Sequence, residues 1–212
     1  MNYFYFFLLL FSANAFSQTT DYEPERIIWN GVEHPYRYHH LEQYFNYYPE
    51  KRPVVNTDST IINRNYVAVF EVKDQKFYLN DLFIAKNGQK TKNRSVMYKL
   101  NAKKEPMFLN WISGLYDIGM GEEQFLKNDT LNPYYNNYIV FEVSKGQIGR
   151  VEHFTYNEMK RFKDYQHKRF KETEKYRTLT QQLIQNGMSS AEVQAHIYQF
   201  ILFYSKTNFL RK

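Results

Sequence analysis

Cysteine is absent from all 212 residues. That excludes disulfides, thiolate metal sites and cysteine nucleophiles, and no anchor through a lipidated cysteine is expected. The serine-nucleophile signature G-x-S-x-G is also missing, because "WISG" lacks its first glycine. The stretch "GLYDIGMG" holds Gly114, Gly119 and Gly121 but no following Lys-Ser or Lys-Thr, so it is not a P-loop. Its glycines lack dinucleotide-binding spacing as well, and are read as relief of crowding in a twisted strand. The longest apolar run, residues 3–12, is about half the roughly 20 residues of a spanning helix. With strongly negative mean hydropathy, that excludes a polytopic membrane protein.

The apolar run is instead read as a secretory signal peptide. Small residues follow it at Ala13, Ala15 and Ser17. Ala13-Asn14-Ala15 would release Phe16, and Ala15-Phe16-Ser17 would release Gln18. No Lys or Arg precedes the run, so the α-amino group alone supplies the positive end. The expectation is an exported chain, periplasmic or secreted, with residues 1–17 removed and 18–212 forming one domain. Without disulfides, that domain must be held by packing alone. The 20 Tyr and 18 Phe supply the apolar surface to do so.

Lys and Arg outnumber Asp and Glu by 28 to 22, giving a formal charge of +6. A basic surface favours anionic partners such as lipid headgroups or acidic polymers. For an exported chain, an unknown protein or an anionic envelope component is the expected partner rather than nucleic acid. No transmembrane span is expected in the mature chain.

Local patterning predicts an α+β fold, with a mostly antiparallel sheet of hairpins (mainly 26–156), a short helix near the N-terminus and C-terminal helices (mainly 157–204) packed on or beside the sheet. Asn30-Gly31 marks a tight turn in "RIIWNGVEHPYRY". A short helix over 41–48 ends at Pro49. Residues 65–86 alternate with a period of two around Lys73-Asp74-Gln75 and make a second hairpin. Residues 137–156 repeat the "FEV" triplet and turn at Lys145-Gly146. Residues 95–101 look strand-like, and 122–136 read as a turn of helix followed by a loop. From 157 to 186 there is no Pro or Gly before Gly187, which predicts one long helix. Its buried face would be Met159, Phe162, Gln166, Phe170 and Thr173. Ser189 or Ser190 would cap a final helix.

Four groupings bear on chemistry. His34, His39 and His40 sit close in sequence, but adjacent histidines diverge on either a strand or a helix, so they make a poor ligand set and no metal is expected. The ordinary reading has one of the pair 39/40 capping the helix that starts near Leu41. Glu71 and Glu142 occupy matching places in the two "FEV" triplets. They would form an acid/base pair only if their strands were neighbours, the alternative being two solvent-facing positions. Trp111, Tyr116, Tyr134 and Tyr135 form an aromatic group suited to sugars or a protein surface. Lys160, Arg161, Lys168, Lys171 and Lys175 lie on the polar side of the long helix, where they would meet anionic lipid or acidic polymer if not simply solvent.

The segments "LEQYFNYYPEKRP", "NYVAVFEVKDQKFYLNDLFI", "NYIVFEV" and "KRFKDYQHKRFKETEKYR" together resemble a group of exported bacterial proteins of no established activity. The resemblance spans roughly residues 25–178 and implies no catalytic residue and no cofactor. His39 and His40 fall outside its pattern, and the last helix is an addition to it. The expected function is a non-enzymatic binding or interaction module of the periplasm or cell exterior. The alternative is a carboxylate-dependent hydrolase of envelope glycan or peptide working through Glu71 and Glu142. A third reading places the basic helix on an anionic membrane surface.

Overall fold

The computed structural model describes residues 24–53, 66–84, 95–126 and 129–205. The expected signal peptide lies outside them. The protein is α+β, with five α-helices and a mostly antiparallel sheet of eight strands among the described residues.

β1 (Glu25–Trp29) and β2 (Val32–Tyr36) form the first hairpin, turning through Asn30 and Gly31 at φ 50° and 79°. Helix α1 (His40–Tyr47) follows and buries His40, Leu41 and Phe45. β3 (Tyr66–Lys73) and β4 (Lys76–Ile84) form the second hairpin. β5 (Met107–Phe108) adds a short strand to β4, and β6 (Gly114–Met120) comes next. β7 (Gln124–Leu126) and β8 (Asp129–Tyr134) pair as a separate ribbon. β9 (Asn137–Ser144) and β10 (Gln147–Thr155) form the last hairpin. The main sheet runs β2-β1-β3-β4-β10-β9-β6. Among the described strands, its one parallel pair is β1 with β3.

The sheet curls until its edge strands β2 and β6 face each other. Inward-pointing side chains of alternate residues fill the curl: Ile27 and Trp29, Tyr66, Ala68 and Phe70, Phe77 and Leu79, and Ile139, Phe141 and Val143. The two "FEV" phenylalanines, Phe70 and Phe141, both lie in this core. On the outer face of β6 and β9, Leu115 and Val140 meet a second core built by the helices.

Those helices are α2 (Tyr156–Lys171), α3 (Glu174–Gln185), α4 (Ser190–Gln199) and α5 (Ile201–Ser205). Thr155 and Glu158 form a capping box at the start of α2, and Ser189 and Glu192 do the same for α4. The single helix expected over 157–186 is therefore two. Thr173 Oγ1 donates to the Phe170 carbonyl (2.7 Å) and accepts from the Tyr176 amide (3.1 Å), closing α2 and capping α3 in one residue. Gly187, at φ 93°, ends α3 as expected. Two local expectations fail. Residues 97–99 form a 3-10 turn rather than a strand, and the segment 122–136 carries the β7–β8 ribbon rather than a helical turn.

Candidate functional site

The junction from β2 into α1 crosses the gap between the sheet edges, and its side chains stitch that gap. Arg37 Nη2 donates to Asp117 Oδ1 on β6 (2.5 Å), and Tyr38 Oη donates to the same oxygen. Asp117 is buried in the middle of β6. Burial alone would lower the Arg37 pKa, but Asp117 and Tyr38 outweigh it and hold the guanidinium above its ordinary value. Burial, opposed by Arg37 and reinforced by Asp117, raises the Tyr38 phenol.

The histidines share no ligand. His39 Nδ1 lies 3.2 Å from the fully buried carboxylate of Glu25. His40 turns into the core, where Nε2 shares a hydrogen bond with Tyr36 Oη at 2.8 Å. Phe70, Phe77 and Tyr116 meet its ring edge-on at 5.2, 5.2 and 4.7 Å. Burial lowers its pKa to about 3, with His39 adding repulsion, so the ring is neutral near neutral pH. The expected helix cap by His39 or His40 is not formed, since α1 has no side-chain cap at its N-terminus. Among the described residues no three of His, Asp and Glu are grouped to hold a metal ion.

Above this junction lies a cavity of about 550 Å³. It is lined by the β2–α1 junction and the start of α1 (Arg37–His40, Glu42 and Gln43) and by the paired ends of β6 and β9. His196, Phe200, Phe203 and Tyr204 of the last helices complete the lining. Tyr204 Oη and His196 Nε2 share a hydrogen bond at 2.8 Å, and burial lowers the His196 pKa. Trp111 stacks on Tyr44 of α1, with centroids 5.2 Å apart. Its indole Nε1 is buried with no hydrogen-bond partner, and so is Oε1 of Glu142. Buried polar atoms are rarely left so, which singles out both.

Trp111 and Tyr116 thus lie together in the cavity wall. Tyr134 and Tyr135 do not join them. Tyr134 packs on Tyr156 at 4.7 Å, while Tyr135 donates to Glu123 at 2.6 Å and its ring covers Gly119, where any Cβ would collide with it. Lys160, Arg161, Lys168 and Lys171 are exposed on α2. Lys175 departs from that face: it belongs to α3, and its ammonium donates to the Tyr204 carbonyl at 2.6 Å. Glu71 and Glu142 are not brought together, because β4 and β10 stand between β3 and β9. At the usual strand spacing that is about 14 Å along the sheet.

Arg37, Asp117 and the α4–α5 side chains are the site residues that sequence reasoning missed. An aspartate inside the apolar strand "GLYDIGM" was the available signal, since a buried carboxylate needs a partner. Nothing comparable marks Phe200 or Tyr204, whose spacing also suits plain helix packing.

Fold and site together define an α+β protein whose curled sheet encloses an aromatic core and carries a cavity lined in part by its C-terminal helices. No family model matches this chain, and no curated protein or solved structure matches it either. No helix among the described residues is long and apolar enough to cross a membrane.

Proposed function

We propose that this is an exported, non-enzymatic binding protein that takes a small molecule into the cavity between α1, the β6–β9 ends and α4–α5. The observation that carries this reading is the cavity itself. Its volume of about 550 Å³ suits a small organic ligand, and its walls combine aromatic rings with a few polar groups, two of them holding unpartnered buried atoms. Export rests on the leader at residues 3–17, and the group it resembles is expected to share that destination. The hydrolase alternative finds no support in Glu71 and Glu142, which the sheet order separates. An anionic envelope component suits the exposed Lys160, Arg161, Lys168 and Lys171 better than the cavity.

The test has two parts. Fractionated cells should yield an exported chain beginning at Phe16 or Gln18, read by mass spectrometry. A full-length cytoplasmic chain would sink the export part. The purified chain should also saturably bind members of a small-molecule library and release them chemically unchanged. Ser144→Trp, which sets a bulky ring at the cavity wall, should weaken that binding at least about tenfold, or 1.4 kcal/mol. Binding that ignores this substitution would remove the cavity from the reading. A library member returned hydrolysed would favour the enzyme.

A further inference from the structure

We propose that the ligand of this cavity carries an ammonium group, seated against Glu142 among aromatic rings. This rests on the cavity being a binding site and adds the chemical class of what it binds.

The argument is one of charge balance. Among the described residues, six that line the cavity are arginine, histidine or glutamate: Arg37, His39, His40, Glu42, Glu142 and His196. Arg37 is held by Asp117 at 2.5 Å. His39 faces Glu25 at 3.2 Å. Glu42 receives two hydrogen bonds from Arg52, at 3.2 and 2.8 Å, and a third from Tyr66 at 2.5 Å. Burial lowers the pKa of both His40 and His196, which keeps the two rings uncharged at neutral pH. Glu142 is what remains. Its Oε1 is buried and meets no donor, and its side chain lies over Gly149, 3.4 Å from where a Cβ would stand.

A lone carboxylate in a half-enclosed site favours a cation, since a charge removed from water needs an opposite charge or donors close by. The surroundings point the same way. Tyr38, Trp111, Tyr116, Phe200 and Tyr204 line the same space, and the negative faces of aromatic rings attract ammonium groups. An anionic ligand meets the opposite situation, because the guanidinium in the wall is already neutralised by Asp117 and Glu142 would repel it.

The test varies charge at constant shape. Cyclohexylamine, cyclohexanol and cyclohexanecarboxylate are titrated into the chain near neutral pH, and tryptophan fluorescence is followed. The chain has two tryptophans, and Trp29 is buried in the main core, so Trp111 is the reporter. A Trp111→Phe variant should lose the response. Cyclohexylamine is expected to bind at least about tenfold tighter than cyclohexanol, with the carboxylate weakest. In Glu142→Gln the amine and the alcohol should bind within about twofold of each other. Equal binding in the native chain, or an amine preference that survives Glu142→Gln, would overturn the ammonium assignment while leaving the cavity a binding site. No saturable response from any of the three probes, with circular dichroism showing an intact fold, would overturn the binding reading along with it.

Discussion

Asp117→Ala is expected to cost about 3 kcal/mol of stability, seen as a lower urea midpoint with an unchanged slope. The sheet's two edges, β2 and β6, face each other without a ladder of backbone hydrogen bonds. Besides ring packing, a single carboxylate oxygen of β6 ties the seam by receiving both Arg37 and the Tyr38 hydroxyl from the junction that follows β2. Removing it strands the two donors unequally. The Arg37 side chain is 43% exposed, so its head can turn to water and recover most of its solvation. The Tyr38 ring is 8% exposed, and its hydroxyl is left without an acceptor. An unsatisfied buried donor costs about 1–3 kcal/mol, and the lost volume at Asp117 adds to it. Tyr38→Phe alone should cost about 1 kcal/mol, and the double variant should lose less than the sum of the two, because the stranded donor is then gone. A loss below about 1 kcal/mol for Asp117→Ala, or strict additivity with Tyr38→Phe, would refute the clamp.

Much of this fold is legible in sequence because hairpins are written locally. Asn30, Gly31 and Gly146 take positive φ, which asparagine and glycine tolerate, and alternation around the two turns sorts Ile27 from Ile28 and Phe141 from Glu142. The break at Thr173 is written less clearly. A threonine cap inside a run of helix formers carries none of the punctuation that glycine or proline provides, so the break shows only once its hydroxyl is seen bridging two helices. The parallel β1–β3 pair and the meeting of β2 with β6 depend on where distant segments return, which no short window records.

The candidate site divides in the same way. Trp111, Tyr116, His39, His40 and Glu142 stand out by residue type, and all of them line the cavity. Their partners were not legible. Glu142 invited pairing with Glu71 through a shared triplet, whereas its actual neighbours are Leu115 across the β6–β9 ladder and Gly149 in the irregular part of β10. His40 looked like a cap because it precedes a helix. It is instead the first buried residue of that helix, and its polarity is met by Tyr36 four residues back.

That burial makes His40 an acid-sensitive histidine, and its effect on stability has a definite sign. The ring's pKa is about 3 when folded, against an ordinary 6.5 when unfolded. Between those values the unfolded chain holds the proton and the folded chain does not. The contribution is therefore complete above about pH 6.5 and is lost as pH falls toward about 3. Each unit of separation is worth about 1.4 kcal/mol, so moving from about pH 7.5 to about pH 4.5 should remove about 3 kcal/mol through this residue. Acid destabilises proteins through carboxylates as well, and a matched comparison separates that background from His40. His40→Gln keeps a polar group for Tyr36 and has no proton to gain. Its stability at about pH 7.5 should be lower than that of the native chain, yet it should fall about 3 kcal/mol less on acidification. Parallel losses in the two chains would sink the assignment. An NMR titration decides the matter even if the variant folds poorly: the His40 ring signals of the native chain should stay unshifted down to about pH 4.5, and a midpoint near pH 6.5 would mean that the ring is solvated and that its burial costs the fold nothing in acid.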